Sequence, residues 1–292
     1  MKNILIATTC MFIMHNASSQ DFDRTLSIGI SSGLMNYQGD IQPTSFTLRQ
    51  SNTYFSFYIK QPVTRHLSFK AGLGYGRVQG DDKYNRDYLQ KRNLSFYTSI
   101  KEAYAGIEMY AFPINNNKIT PYLFAGITAF HFNPYTFTGD GQKVFLQPLS
   151  TEGQGLEGYG DRKPYTLKQA ALTGGIGIKY SVNENCMIGI EFTQRKTFTD
   201  HLDDVSSSYV DKEKLLAAKG QLAVDLAFRG DEISSGNVYP SHGEQRGTPS
   251  EKDWYYSTGF SAEFNLNAIR QSFLTLFKGQ HDWYYKKCPR VF

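Results

Sequence analysis

The sequence predicts an all-β fold: an eight-stranded antiparallel transmembrane β-barrel with long outer loops and a short helix in the last outer loop. Three observations carry this. Segments of about ten residues alternate apolar with small or polar side chains, as strands facing lipid on one side and a lumen on the other must. The links between those segments alternate strictly, short with long. Tyr (20), Phe (21) and Gly (26) are abundant, while no stretch after the N-terminus approaches the ~20 apolar residues that a spanning helix needs.

Residues 1–20 read as a signal peptide. Lys2 gives a positive start, Ile4 to Met14 an apolar stretch too short to span as a helix, and Ala17-Ser18-Ser19 a small-residue cleavage site. Cys10 lies inside the apolar stretch, without the small-residue pair that precedes a lipidated cysteine, and is discarded with it. The mature protein therefore crosses the inner membrane.

The barrel is assigned to 21–267. Segment 26–36 opens it. Segment 53–60 sets Thr53, Phe55, Phe57 and Ile59 against Tyr54, Ser56, Tyr58 and Lys60. Segment 67–76 sets Leu67, Phe69, Ala71, Leu73 and Tyr75 against Ser68, Lys70 and three glycines. In 95–112 the alternation slips by one near Lys101-Glu102, which predicts a β-bulge. In 119–132 the order of faces is ambiguous. Segment 165–180 follows. In 186–195, Ile188, Ile190 and Phe192 oppose Gly189, Glu191, Thr193 and Arg195. In 254–265, Trp254, Tyr256, Thr258, Phe260, Ala262 and Phe264 oppose Tyr255, Ser257, Gly259, Ser261, Glu263 and Asn265, with aromatics near both ends as interfacial girdles require.

Short links fall near 61–66, 113–118 and 181–185, at Pro62, Asn115-Asn116-Asn117 and Asn183-Glu184-Asn185. Long links fall near 37–51, 77–94, 133–164 and 197–253. Outer-membrane barrels have short periplasmic turns and long outer loops, so both termini are expected to be periplasmic. Within the last loop, Leu215, Leu216, Ala218, Leu222 and Leu226 recur at helical spacing. They predict one amphipathic helix over 211–226, lying over the barrel mouth or at the membrane surface, with its end at Gly230. Residues 231–251 are rich in Ser, Gly, Pro and charge and read as mobile.

Four bases, Lys60, Lys70, Lys179 and Arg195, and four acids, Glu102, Glu108, Glu191 and Glu263, fall on lumen-facing positions. An eight-stranded barrel has an interior just wide enough for side chains, and buried charges must be paired. The balance points to a salt-bridged plug rather than a proton or ion path, and against a diffusion porin. The net charge of +4 argues against nucleic-acid binding. His201 stands beside Asp200, Asp203 and Asp204, a set that could serve a rim hydrolase or a calcium ion. No catalytic motif accompanies it, and its spacing is not that of a calcium loop. Solvated charge and loop capping account for the cluster, so neither an enzyme nor a cofactor is expected.

Residues 268–292 form a periplasmic tail. Ile269, Phe273, Leu276 and Phe277 could share one helical face. Trp283, Tyr284, Tyr285, Lys286, Lys287 and Arg290 are more aromatic and basic than a disordered spacer would be. They either settle under the barrel at headgroup level or dock a periplasmic partner. Cys186 and Cys288 fall on the same side of the membrane and could form a disulfide, or one of them could join another protein.

The stretches Gly80-Asp81-Asp82, Arg92-Asn93-Leu94-Ser95-Phe96, Thr120-Pro121-Tyr122-Leu123-Phe124-Ala125-Gly126, Leu146-Gln147-Pro148-Leu149 with Thr151-Glu152-Gly153-Gln154-Gly155, and Arg195-Lys196-Thr197-Phe198-Thr199-Asp200 with Leu202-Asp203-Asp204-Val205-Ser206 resemble those of the DUF6089 outer-membrane proteins. That family includes PorG-like components of the type IX secretion system. The resemblance implies a small barrel embedded in outer-membrane lipids, without enzyme activity. It also implies association with a periplasmic lipoprotein ring of the secretion machine. The expected role is to anchor or position that assembly through the periplasmic face. The alternative is an OmpA-like structural or surface-binding barrel working through its outer loops.

Overall fold

The computed structural model describes residues 25–44, 47–113 and 117–270. Its strands are β1 (Ser27–Gln38), β2 (Asn52–Pro62), β3 (Leu67–Asp81), β4 (Ser95–Tyr110), β5 (Ile119–His131), β6 (Pro134–Phe137), β7 (Lys143–Phe145), β8 (Lys168–Asn183), β9 (Cys186–Thr197) and β10 (Trp254–Asn265). Eight of them close a barrel; β6 and β7 form a hairpin attached to the loop end of β4. All barrel neighbours are antiparallel. Closure is made by β1 with β10, from Ser27↔Asn265 to Gln38↔Trp254, so every strand edge of the barrel is paired.

The pleat sends alternate residues outward. Ile30, Phe55, Phe57, Leu73, Ile107, Leu123, Ile127, Leu172, Ile176, Ile190 and Phe260 are all exposed around the wall. A soluble protein rarely exposes a continuous apolar surface of this extent, whereas a barrel wall in lipid requires one. Among the described residues no helix is long and apolar enough to cross a membrane.

All short turns gather at one end, where β1 begins and β10 finishes; the long connections gather at the other. The turn-end links span 63–66, 111–118 and 184–185. Of the expected turn residues, Asn115 and Asn116 lie outside the described residues.

Strand β4 runs without a register shift against β3 or β5, so the bulge expected at Lys101-Glu102 is absent. Lys101 points outward and Glu102 inward. The pattern slips in sequence because the inward positions change chemistry along the strand. Near the turn end they carry Glu108 and Tyr104, but near the loop end they carry Ile100 and Phe96, both fully buried. The ambiguity of 119–132 has the same origin: inward Phe124 and Phe130 are as apolar as outward Leu123 and Ile127.

The main apolar core therefore sits under the long loops rather than in the middle of the barrel. Met35, Ile41, Val78, Phe96, Ile100, Phe132, Leu146, Leu202 and Val205 belong to it. Helix α1 (Asp87–Gln90) lies in the second long loop. The single helix expected over 211–226 is two: α2 (Lys212–Lys219) and α3 (Gln221–Ala227). Gly220 separates them at φ +83°, a conformation that glycine adopts without steric penalty. Asp211 caps α2 through the Lys214 amide at 3.0 Å. Leu215, Val224 and Ala227 bury against Tyr159 and Val210, which places the pair over the loop cap. Gly230 does not end α3; Phe228 is already extended, and Gly230 opens a separate 3-10 turn.

Candidate functional site

Two buried polar systems dominate the molecule, one inside the barrel and one beneath its loops. In the lumen, all eight charged residues are buried, and all eight are ion-paired. Six of them make one alternating chain. Lys60 pairs with Glu263, Glu263 with Lys179, Lys179 with Glu108, Glu108 with Lys70 at 3.1 Å, and Lys70 with Glu191 at 3.0 Å. Nearer the loops, Arg195 pairs with Glu102 at 2.7 Å.

Each carboxylate also accepts a tyrosine hydroxyl. Tyr58 donates to Glu263 (3.1 Å), Tyr110 to Glu108, Tyr122 to Glu191 (2.9 Å), and both Tyr54 (2.7 Å) and Tyr255 (2.9 Å) to Glu102. The same rings face the cations, with Lys70 4.2 Å from the Tyr58 centroid and Lys179 4.6 Å from that of Tyr122. Glycine makes room: Gly29 lies under the Tyr58 ring and Gly177 under that of Tyr122, and a side chain at either would overlap the ring. Between Tyr54, Lys70, Glu191 and Arg195 the network leaves a void of about 10 Å³, and at the turn end one of about 60 Å³ beside Lys60 and Glu263. A filled, paired lumen of this kind is closed to solutes.

The tyrosines are functional residues that charge counting missed. The signal was present: Tyr54 and Tyr58 share a face with Lys60, and Tyr255 with Glu263. The alternation already places these three on the lumen face; the structure adds that they, with Tyr110 and Tyr122, bind the carboxylates.

The loop cap is built around Glu152 and Arg246, both almost wholly buried. Glu152 accepts from the amides of Ser206 and Ser207 at 2.9 Å each, from Ser207 Oγ at 2.7 Å, and from Arg246 at 2.9 Å. These donors outweigh burial and hold its carboxyl below the usual range. Arg246 also donates to the carbonyls of Asp204 (2.6 Å) and Ala227 (3.2 Å). It ties the C-terminal part of 231–251 to the cap. Arg92 holds Asp82 with contacts of 2.7 and 3.0 Å. No periodicity announces the Glu152–Arg246 pair, because it joins loops far apart in sequence.

The aspartates beside His201 are used structurally. Asp204, at φ +65°, accepts from Thr151 Oγ1 and Tyr165 OH, both at 2.6 Å. Asp200 accepts from Ser206 Oγ at 2.7 Å. Tyr37 OH lies 2.6 Å from Asp203 and 3.1 Å from Asp253. One hydroxyl thus faces two buried carboxyls. Burial pushes all four up: Asp204 to about 6, Asp200 to about 7, and Asp203 and Asp253 well above the usual range. His201 stacks on Tyr165 at 4.5 Å, and burial lowers its pKa. Among the described residues no three His, Cys, Asp or Glu side chains are placed to hold a metal ion.

Trp283, Tyr284, Tyr285, Lys286, Lys287, Cys288 and Arg290 lie outside the described residues. Cys186 opens β9 at the turn end, half-buried.

A model of the family described as Domain of unknown function (DUF6089) matches residues 2–219. The chain belongs to this family. The matched span covers the barrel through β9 and the cap as far as α2, so the Glu152–Ser206 and Thr151–Asp204 contacts lie within the DUF6089 region. No curated protein matches the chain in sequence. Solved outer-membrane barrels resemble this DUF6089 protein at low identity. Neisserial surface protein A is 8% identical, with 82% of this chain and 97% of that one covered and a TM-score of 0.40. OprG from Pseudomonas aeruginosa is 9% identical, with 83% and 97% covered and a TM-score of 0.39. Ail of Yersinia pestis, seen with a heparin analogue, is 11% identical, with 82% and 97% covered and a TM-score of 0.37.

Proposed function

We propose that this DUF6089 protein is a non-enzymatic outer-membrane barrel, exported by a cleaved signal peptide, that anchors or positions a type IX protein secretion assembly through its periplasmic face. The observation that carries the reading is the closed lumen, in which six residues form one continuous ion-pair chain. A barrel without a conduit serves as a fixed point in the membrane, and its work falls to its two ends. The turn end carries both termini of the barrel and leads into the aromatic, basic tail 268–292. The partner is a periplasmic lipoprotein ring. Gentle crosslinking of the tagged barrel in intact envelopes should recover that ring, and deletion of 268–292 should lose it. A barrel that purifies alone under gentle crosslinking, together with normal secretion in a strain lacking it, overturns the reading.

A second reading, a surface-binding barrel of the OmpA-like kind, is favoured by one observation. The long loops fold into a cap with its own apolar core and buried ion pair. Trimming 133–164 would then abolish function while deletion of 268–292 would not.

A further inference from the structure

A large cavity opens in the loop cap, at the end opposite the proposed ring-binding face. It holds about 1040 Å³ and is lined by residues of the first, second and last long loops. That is the upper end of the size of ligand sites, about 300–1,000 Å³. Buried Arg92 and Arg246 form part of its wall, and Arg86, Lys91, Lys196 and Lys252 stand around them. Asp40, Glu244 and Glu251 are the lining acids, so six bases face three acids. Arg92 and Arg246 are paired with Asp82 and Glu152, but Arg86, Lys91, Lys196 and Lys252 make no ion pair among the described residues.

The aromatic wall adds a second, independent observation. Tyr209, Phe228 and Tyr239 meet edge to face with centroids 5.6 to 6.2 Å apart, and all three line the cavity. The Tyr209 side chain is 1% exposed, and its hydroxyl has no hydrogen-bond partner among the described residues; nor has that of Tyr239. A buried hydroxyl without a partner is unfavourable, so two on one cavity wall call for an acceptor supplied from within it. Tyr88, Trp254, Asn237 and Gln245 also line it.

We propose that this cavity binds an acidic saccharide, a sugar chain bearing carboxylate or phosphate groups. The unpaired cations attract the charge, the tyrosine hydroxyls and amides bind ring oxygens, and the aromatic faces receive the apolar faces of sugar rings. An extended acidic peptide fits less well, because β-addition needs an open strand edge and none of the lining loops offers one. An apolar ligand is disfavoured by the charged wall. The same chemistry is found in a phosphorylated glycolipid headgroup and in a free acidic glycan.

The test uses the full barrel in nanodiscs. Binding of an oligogalacturonate is measured by Trp254-reported fluorescence and by calorimetry, against its neutral methyl ester and against inorganic phosphate. The expected result is saturable binding of the acid form that weakens with salt, with little binding of the ester. Arg86→Ala with Lys91→Ala should weaken binding about tenfold, roughly 1.4 kcal/mol, and flatten its salt dependence. Tyr239→Phe should weaken it severalfold while protease resistance of the loops stays unchanged. Nanodiscs containing a phosphorylated glycolipid should block the oligosaccharide if the headgroup is the occupant, and leave it unchanged if a free glycan is. No binding by either arm, equal binding of the ester, or indifference to all three substitutions overturns the proposal. Failure here leaves the ring crosslinking result untouched, because that experiment reads the opposite end of the molecule.

Discussion

At the scale of single residues, the lumen replaces water with partners for each charge. Lys179 sits between Glu108 and Glu263 and is 1% exposed. Lys179→Met should therefore leave three buried carboxylates of the chain to two lysines and destabilise the barrel by about 3–5 kcal/mol, read as a lower denaturant midpoint in a folded-versus-unfolded gel shift. In the cap the signs can be worked out from the acids. Asp204 and Asp200 have raised pKa values, so their contribution to stability is full below about 4 and is lost as pH rises through about 6 and about 7. Glu152 is lowered, so its contribution is present above its ordinary value and is lost on acidification below it. Protease nicking of 197–253 should thus be slower at pH 5 than at pH 8. Asp204→Asn keeps an acceptor, tolerates the positive φ, and should shrink that difference. An unchanged pH profile in this variant would assign the effect to other groups.

At the scale of elements, strand chemistry changes along its length, and this decided what sequence could show. Where outward positions are apolar and inward ones polar or glycine, as in β2, β9 and β10, the faces were legible directly. In β4 and β5 the inward positions turn apolar beneath the loops, so alternation blurred and produced a bulge that is not there. The glycines on the lumen face also have a consequence. Gly177→Leu would drive a side chain into the Tyr122 ring and disturb its bond to Glu191. It should cost about 1–3 kcal/mol and lower the yield of heat-modifiable barrel, whereas outward Gly174→Leu, with open space around it, should not. The periodicity of 211–226 identified helix correctly but not the interruption, because a glycine within a helical pattern reads as a tolerated weakness until its φ is known.

At the scale of the whole molecule, the barrel is closed at mid-height and folded at its loop end. Purified protein in planar bilayers should show no steady conductance at physiological salt, and substitution of Arg195 or Glu102 should not open one. A stable ion current in the unaltered protein would contradict the plug. The sequence draws attention to the tail, most of which lies outside the described residues; the structure adds a cavity in the cap, where loops separated by up to about two hundred residues meet.

The sequence by itself determined the number of barrel strands, the short-to-long alternation of links and the inward direction of the eight lumen charges. Those follow from a period of two and from the need to pair charge in a narrow interior, both local rules. Only the tertiary structure decided which acid meets which base, that tyrosines complete every lumen carboxylate, and that Glu152 and Arg246 clasp the loops. The reason is physical: pairing across a barrel and between loops depends on stagger and loop path, which no single segment encodes.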